Sequence, residues 1–244
     1  MSRTRHRPSA SSWWTGALFA IGSTCFAVGS VPAYFDAVSA STAAWTFFVG
    51  SIFFTSAAFL QLASAPPDRL AGTRRDARSG ARSTAKRSPT ERSSVVRATT
   101  AALSHPTARR AAAVQLVGTV FFNLSTFAAT RDALSTQQER RLIWAPDVFG
   151  SVCFLLASAA GWSLVRADRR DSTWTSTTIA AVNLAGSVAF GAAAIGARLL
   201  RTDGETANIE LVNLGTFAGA VCFFAGAVLL PVDDARSSSS AASS

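Results

Sequence analysis

Five polar side chains fall at or inside long apolar stretches: Gln115, Asn123, Asp147, Asn183 and Asn213. An amide or carboxylate at membrane depth is a candidate for a solute path or a reacting group. Asp147 is the sole carboxylate among them, so proton transfer to a lipid substrate would fall to it. Their positions argue against convergence. Gln115 sits near one end of its stretch, Asp147 near the opposite end and Asn123 near the middle. The spacing therefore predicts hydrogen bonds between neighbouring helices rather than one substrate site. Asp147 follows Pro146 at an expected helix start, where a helix N-terminus would stabilise its charge.

The other reactive types are no more suggestive. Cys25, Cys153 and Cys222 stand alone, with no CxxC and no Cys–His spacing. His6 and His105 lie in basic segments, and no GxSxG, HExxH or P-loop is present. The expectation is no catalytic residue, no metal site and no cofactor.

The elements that would hold these residues are plain. Charged residues make up 15% of the 244, against about 25% in an ordinary soluble domain. Six apolar stretches with no interior charge, 13–33, 44–63, 111–130, 147–166, 176–196 and 211–230, reach the roughly 20 residues that cross a bilayer core. All six Trp (13, 14, 45, 144, 162, 174) fall at or near their ends, as an aromatic belt requires. The expected fold is all-α and integral to a membrane, with six spans. The first stretch is taken as a retained helix, not a signal peptide, because its apolar run exceeds a usual signal core.

With the N-terminus inside, 18 of the 23 Lys and Arg face the cytoplasm, which places both termini there. The organisation expected is a basic tail (1–12), helical hairpin 1 (13–63), a basic and largely disordered loop (64–110) and hairpin 2 (111–166). A short cytoplasmic loop (167–175), hairpin 3 (176–230) and a flexible tail (231–244) follow. The net charge of +9 points to anionic lipid headgroups at the cytoplasmic face as partners. Nucleic acid is not expected, since no basic fold with interleaved aromatics is present. Within the loop, Ser88-Pro89-Thr90-Glu91 has capping-box form, which allows a surface helix over 88–103. The stretch 137–146, QQERRLIWAP, reads as an interfacial helix or the rim of a ligand mouth.

One pattern recurs in every stretch: GSTCF (22–26), GSIFF (50–54), GTVFF (118–122), GSVCF (150–154), GSVAF (186–190) and GAVCF (219–223). The glycines are Gly22, Gly50, Gly118, Gly150, Gly186 and Gly219. The phenylalanines four residues on are Phe26, Phe54, Phe122, Phe154, Phe190 and Phe223. Small residues recur seven and eight positions after each glycine, and these offsets share one helix face. In lipid, burial of apolar surface does not itself drive helices together; small residues do so by letting backbones approach. The three cysteines share the offset +3 with Phe53, Phe121 and Ala189, so this is an apolar packing position. The pattern predicts three parallel hairpin repeats packed through these stripes.

The stretches FFVGSIFFTSAAFLQ and APDVFGSVCFL, with the pair VNLAGSVAF and VNLGTFAGAVCFF, resemble the YrhK-like membrane domain. The likeness is to its multi-helix relatives in high-GC actinobacteria, and it covers the apolar segments but not the basic loop. It implies a multi-pass protein of the bacterial inner membrane, in a family of uncharacterised function, and it carries over no catalytic residue. The function expected is non-enzymatic packing, assembly or scaffolding, with a homo-oligomer or another membrane protein as partner. A channel or small-solute transporter is the alternative, and a lipid-acting membrane enzyme working through Asp147 comes third.

Overall fold

The structure, a computed structural model, describes residues 8–67, 107–168, 172–198 and 206–241. It is helical: α1 (Ala10–Gly29), α2 (Pro32–Ala37), α3 (Ala40–Ser64), α4 (Ala108–Ala129), α5 (Thr136–Glu139), a π-helical turn (Arg140–Trp144), α6 (Ala145–Ala167), α7 (Trp174–Gly196) and α8 (Ile209–Ala241). Hydroxyl or amide caps open the helices. Ser9, Ser39, Thr107, Ser135 and Thr173 each accept a first-turn N–H, and Asn208 Oδ1 accepts Leu211 N–H at 2.8 Å. Such caps satisfy amide groups that have no partner within the helix.

Five helical segments are long and apolar enough to cross a membrane: Ala40–Ser64, Ala108–Ala129, Thr136–Ala167, Trp174–Gly196 and Ile209–Ser239. The first helix, of 20 residues, is not among these five. Its Ser, Thr, Trp and Gly residues dilute its hydropathy.

The six long helices close a ring in chain order, α1–α3–α4–α6–α7–α8, with α8 returning to pack on α1. Small residues and phenylalanines line the inside. Large aliphatic and aromatic side chains such as Ile21, Ile52, Phe59, Leu124, Phe149, Leu156, Val188 and Leu214 are exposed on the outside. An exterior this apolar suits an apolar partner, lipid or protein, and with five helical segments long enough to cross a membrane the chain has the character of a helical membrane protein.

Three segments differ from the sequence reading. The connection after the first helix folds into α2, begun by Pro32 at a first-turn position, and α3 starts at Ala40 rather than at residue 44. Residues 137–146 are not a separate interfacial helix. The π-helical turn joins α5 to α6, so helix runs from Thr136 to Ala167. One widened turn absorbs Pro146, whose ring cannot donate to the ladder.

The last helix also fails to stop at residue 230. It passes through Pro231 to Ala241, where a flexible tail was expected over 231–244. A proline deprives the carbonyl four residues earlier, here Ala227, of its N–H. Gly16 of α1 backs onto that carbonyl: a Cβ placed on Gly16 would lie 2.7 Å from Ala227 O and 3.3 Å from Pro231 Cδ. The bare glycine lets its own backbone cover the break. The surface helix considered over 88–103 lies outside the described residues.

Candidate functional site

Each hairpin crosses at a pair of motif glycines. A Cβ on Gly22 would lie 2.9 Å from Gly50 O, one on Gly150 3.1 Å from Gly118 O, and one on Gly219 3.0 Å from Gly186 O. Backbones approach this closely only where no side chain intervenes. The cysteines lie on the same crossings. Cys25, Cys153 and Cys222 place Cβ within 2.8–3.0 Å of where a Cβ on Gly50, Gly118 or Gly186 would stand. They act there as small apolar side chains.

From these crossings the six motif phenylalanines converge on the ring axis. Each is at most 7% exposed. Phe154 sits edge-on to Phe54, Phe122 and Phe223 at 6.3, 5.2 and 5.5 Å, and Phe190 stacks on Phe223 at 5.5 Å. Phe26 meets Phe54 and Phe190 at 5.5 and 5.9 Å. These are favourable ring separations. The void left among Phe26, Ser51, Phe54, Phe122, Phe154 and Phe190 is about 10 Å³, no more than the lower limit for one water, and its walls are apolar. The phenylalanines fill the centre of the ring.

Beside the rings, the residue after each motif glycine is a buried hydroxyl on five helices: Ser23, Ser51, Thr119, Ser151 and Ser187. Between hairpins, two of them meet a hydroxyl at the +8 position of the neighbouring helix. Ser51 Oγ lies 2.9 Å from Thr126 Oγ1, and Ser187 Oγ lies 2.8 Å from Ser158 Oγ. On the third seam the corresponding position of α8 is Ala227, and Ser23 Oγ has no partner among the described residues. Losing one partner of a buried pair costs more than losing an orphan. Ser187→Ala should therefore lower stability by about 0.6–2 kcal/mol, while Ser23→Ala should leave it unchanged or raise it. Denaturation of both variants in one detergent checks this; equal losses would refute the pairing.

The five polar positions stay apart. Asn123 Nδ2 donates to Thr55 Oγ1 at 2.8 Å across the α3–α4 seam, and its Oδ1 is buried without a partner among the described residues. Asn183 faces α8, with Oδ1 2.6 Å from where a Cβ on Gly226 would lie. Gln115 is half-buried near the start of α4. Asn213 lines an open cleft at the start of α8. Asp147 lies eleven residues after Thr136 within the continuous helix. Asp147 stands in the first turn of α6, which the π-helical turn joins to the capped α5. No described hydrogen bond joins any two of the five.

A polar arrangement absent from the sequence reading ties the helix ends together. Asp233, on the extension of α8, accepts from the Thr173 hydroxyl and from Thr175 Oγ1 at 2.6 Å. Asp234 Oδ2 accepts Ser9 N–H at 2.6 Å, and the Arg236 guanidinium lies 4.7 Å over the Trp174 ring. Two carboxylates thus rest on the N-terminal ends of α7 and α1, where the helix dipoles favour negative charge. The signal was present as hydroxyls at 173 and 175 and the Asp pair at 233 and 234. It was legible only with α8 continued past Pro231.

No family model matches the chain, and comparison with curated proteins and with solved structures finds no match.

Proposed function

We propose that this is a non-enzymatic, six-span protein of the bacterial inner membrane that serves packing and assembly. Three parallel helical hairpins make up an internal repeat, with both chain ends in the cytoplasm. The first helix would be the sixth span: it is uncharged, 20 residues long and packed between α3 and α8 as a full member of the ring. The likeness to the YrhK-like domain rests on the packing motifs alone and fits this reading. The observation that carries the proposal is the phenylalanine centre. A ring of helices filled on its axis by phenylalanines, with polar groups that stay scattered rather than converging, has the build of a scaffold rather than a conduit. Partners would be anionic headgroups at the cytoplasmic face and either a second copy or another membrane protein.

The test is purification with crosslinking, paired with flux in liposomes. Expected are crosslinked species beyond the monomer and no ion or small-solute flux above empty vesicles. A protein that stays monomeric and conducts, with flux abolished by Asn183→Leu or Gln115→Leu, would instead make it a transporter.

A further inference from the structure

The seam that closes the ring, between α1 and α8, opens at one end into a cleft of about 380 Å³ lined by Ser30, Val31, Pro32, Glu210, Asn213, Leu214 and Phe217. That volume is within the range of small-ligand sites. Its polar groups are few: the Glu210 carboxylate, the Asn213 amide and the Ser30 hydroxyl. Glu210 and Asn213 stand three residues apart on α8, so they share a helix face. Among the described residues, neither side chain has a hydrogen-bond or ion-pair partner and no basic side chain lines the cleft. The Ser30 hydroxyl is already used, donating to Phe26 O and Ala27 O. From the cleft an exposed apolar stripe runs down α8 through Leu214, Phe217, Val221, Phe224 and Val228. Its alternating spacing of three and four keeps it on one face, and it extends about 21 Å along the helix.

We infer that this cleft binds a phospholipid with a primary ammonium headgroup, the ammonium on Glu210 and Asn213 and an acyl chain along the α8 stripe. This rests on the membrane reading above. The chemistry selects among lipids. A primary ammonium carries three N–H donors, which match the Glu210 carboxylate and the Asn213 carbonyl oxygen; a quaternary choline has no N–H to give. An anionic glycerol headgroup meets a carboxylate of its own sign. The stripe requires a chain, so a free amine would lack half of the site.

The experiment adds phosphatidylethanolamine, phosphatidylcholine or phosphatidylglycerol of identical chains to the full chain in detergent, with bound lipid counted by native mass spectrometry. Phosphatidylethanolamine should be retained about tenfold better than phosphatidylglycerol. Glu210→Gln should remove about fivefold to tenfold of its retention, and Asn213→Leu should act in the same direction. Asp168→Asn, an exposed acid outside the cleft, should change nothing. Thermal unfolding of each variant verifies the fold. Equal retention of the three lipids, or retention indifferent to Glu210→Gln, overturns the proposal. So does full competition by glycerophosphoethanolamine, which has the headgroup without chains. Alkaline carbonate extraction tests the membrane reading separately: a chain washed off membranes refutes that reading, whereas a chain that stays but does not discriminate lipids refutes only the cleft.

Discussion

Replacing Gly118 by valine should strip the protein of about 3 kcal/mol or more, the upper range for overpacking a tight contact. The first added carbon would already lie 2.9 Å from Cys153 Cβ, 2.9 Å from Phe154 Cδ2 and 3.1 Å from Gly150 O. Two further methyls have nowhere to go unless α4 and α6 separate. Separation forfeits the dispersion contacts along the crossing, the main attraction between helices in lipid. A loss of this size lowers the unfolding temperature by roughly 6–12 °C for a chain of this length. Gly161 and Gly191 supply the control, because a Cβ at either meets nothing within 4 Å. Gly161→Val and Gly191→Val should stay within about 1 kcal/mol, since a β-branched residue in place of glycine changes helix propensity by only tenths. Thermal unfolding of the three variants in one detergent reads the difference. Similar losses at Gly118 and Gly161 would show that close approach is not what the motif glycine provides.

Phe154→Ala is expected to cost about 3–5 kcal/mol, the range for emptying a phenylalanine site in a packed interior. Phe154 is 1% exposed and touches the rings of Phe54, Phe122 and Phe223. Lipid cannot reach the ring axis to refill the gap, so three neighbours would lose contact on one side. Phe149, on the same helix and 58% exposed, tests the location. Phe149→Ala exchanges one apolar surface against lipid for another and should cost under about 1 kcal/mol. Phe154→Leu should fall between the two. Chemical denaturation of the series, read by loss of helical circular dichroism, gives the ranking. A Phe149→Ala loss equal to that of Phe154→Ala would mean that the rings on the axis do not hold the bundle.

The long apolar segments were legible because crossing a bilayer imposes a length and an absence of charge that need no partner to be recognised. The small-residue stripe was legible for a related reason: offsets of 0, 1, 4, 7 and 8 select one helix face whatever stands opposite it. All twelve motif glycines and phenylalanines are buried. The extent of two helices was not legible. Pro146 and Pro231 each read as a boundary, since proline breaks the hydrogen-bond ladder locally. Whether a break ends a helix depends on what covers the freed carbonyl. At Pro231 that is Gly16 of α1, 215 positions away in sequence.

What the sequence determined by itself was local and periodic: which segments are helical and apolar, and which face of each is narrow enough to pack. Only the tertiary structure decided that α8 returns to α1 to close a ring, that six rings meet on its axis, and that Ser23 loses the partner which Ser51 and Ser187 have. The division has a physical cause. Helix formation and lipid exposure are set by near neighbours along the chain, whereas a closed seam and a filled axis depend on contacts between helices far apart in sequence, where one alanine in place of a serine changes the bonding without altering the pattern.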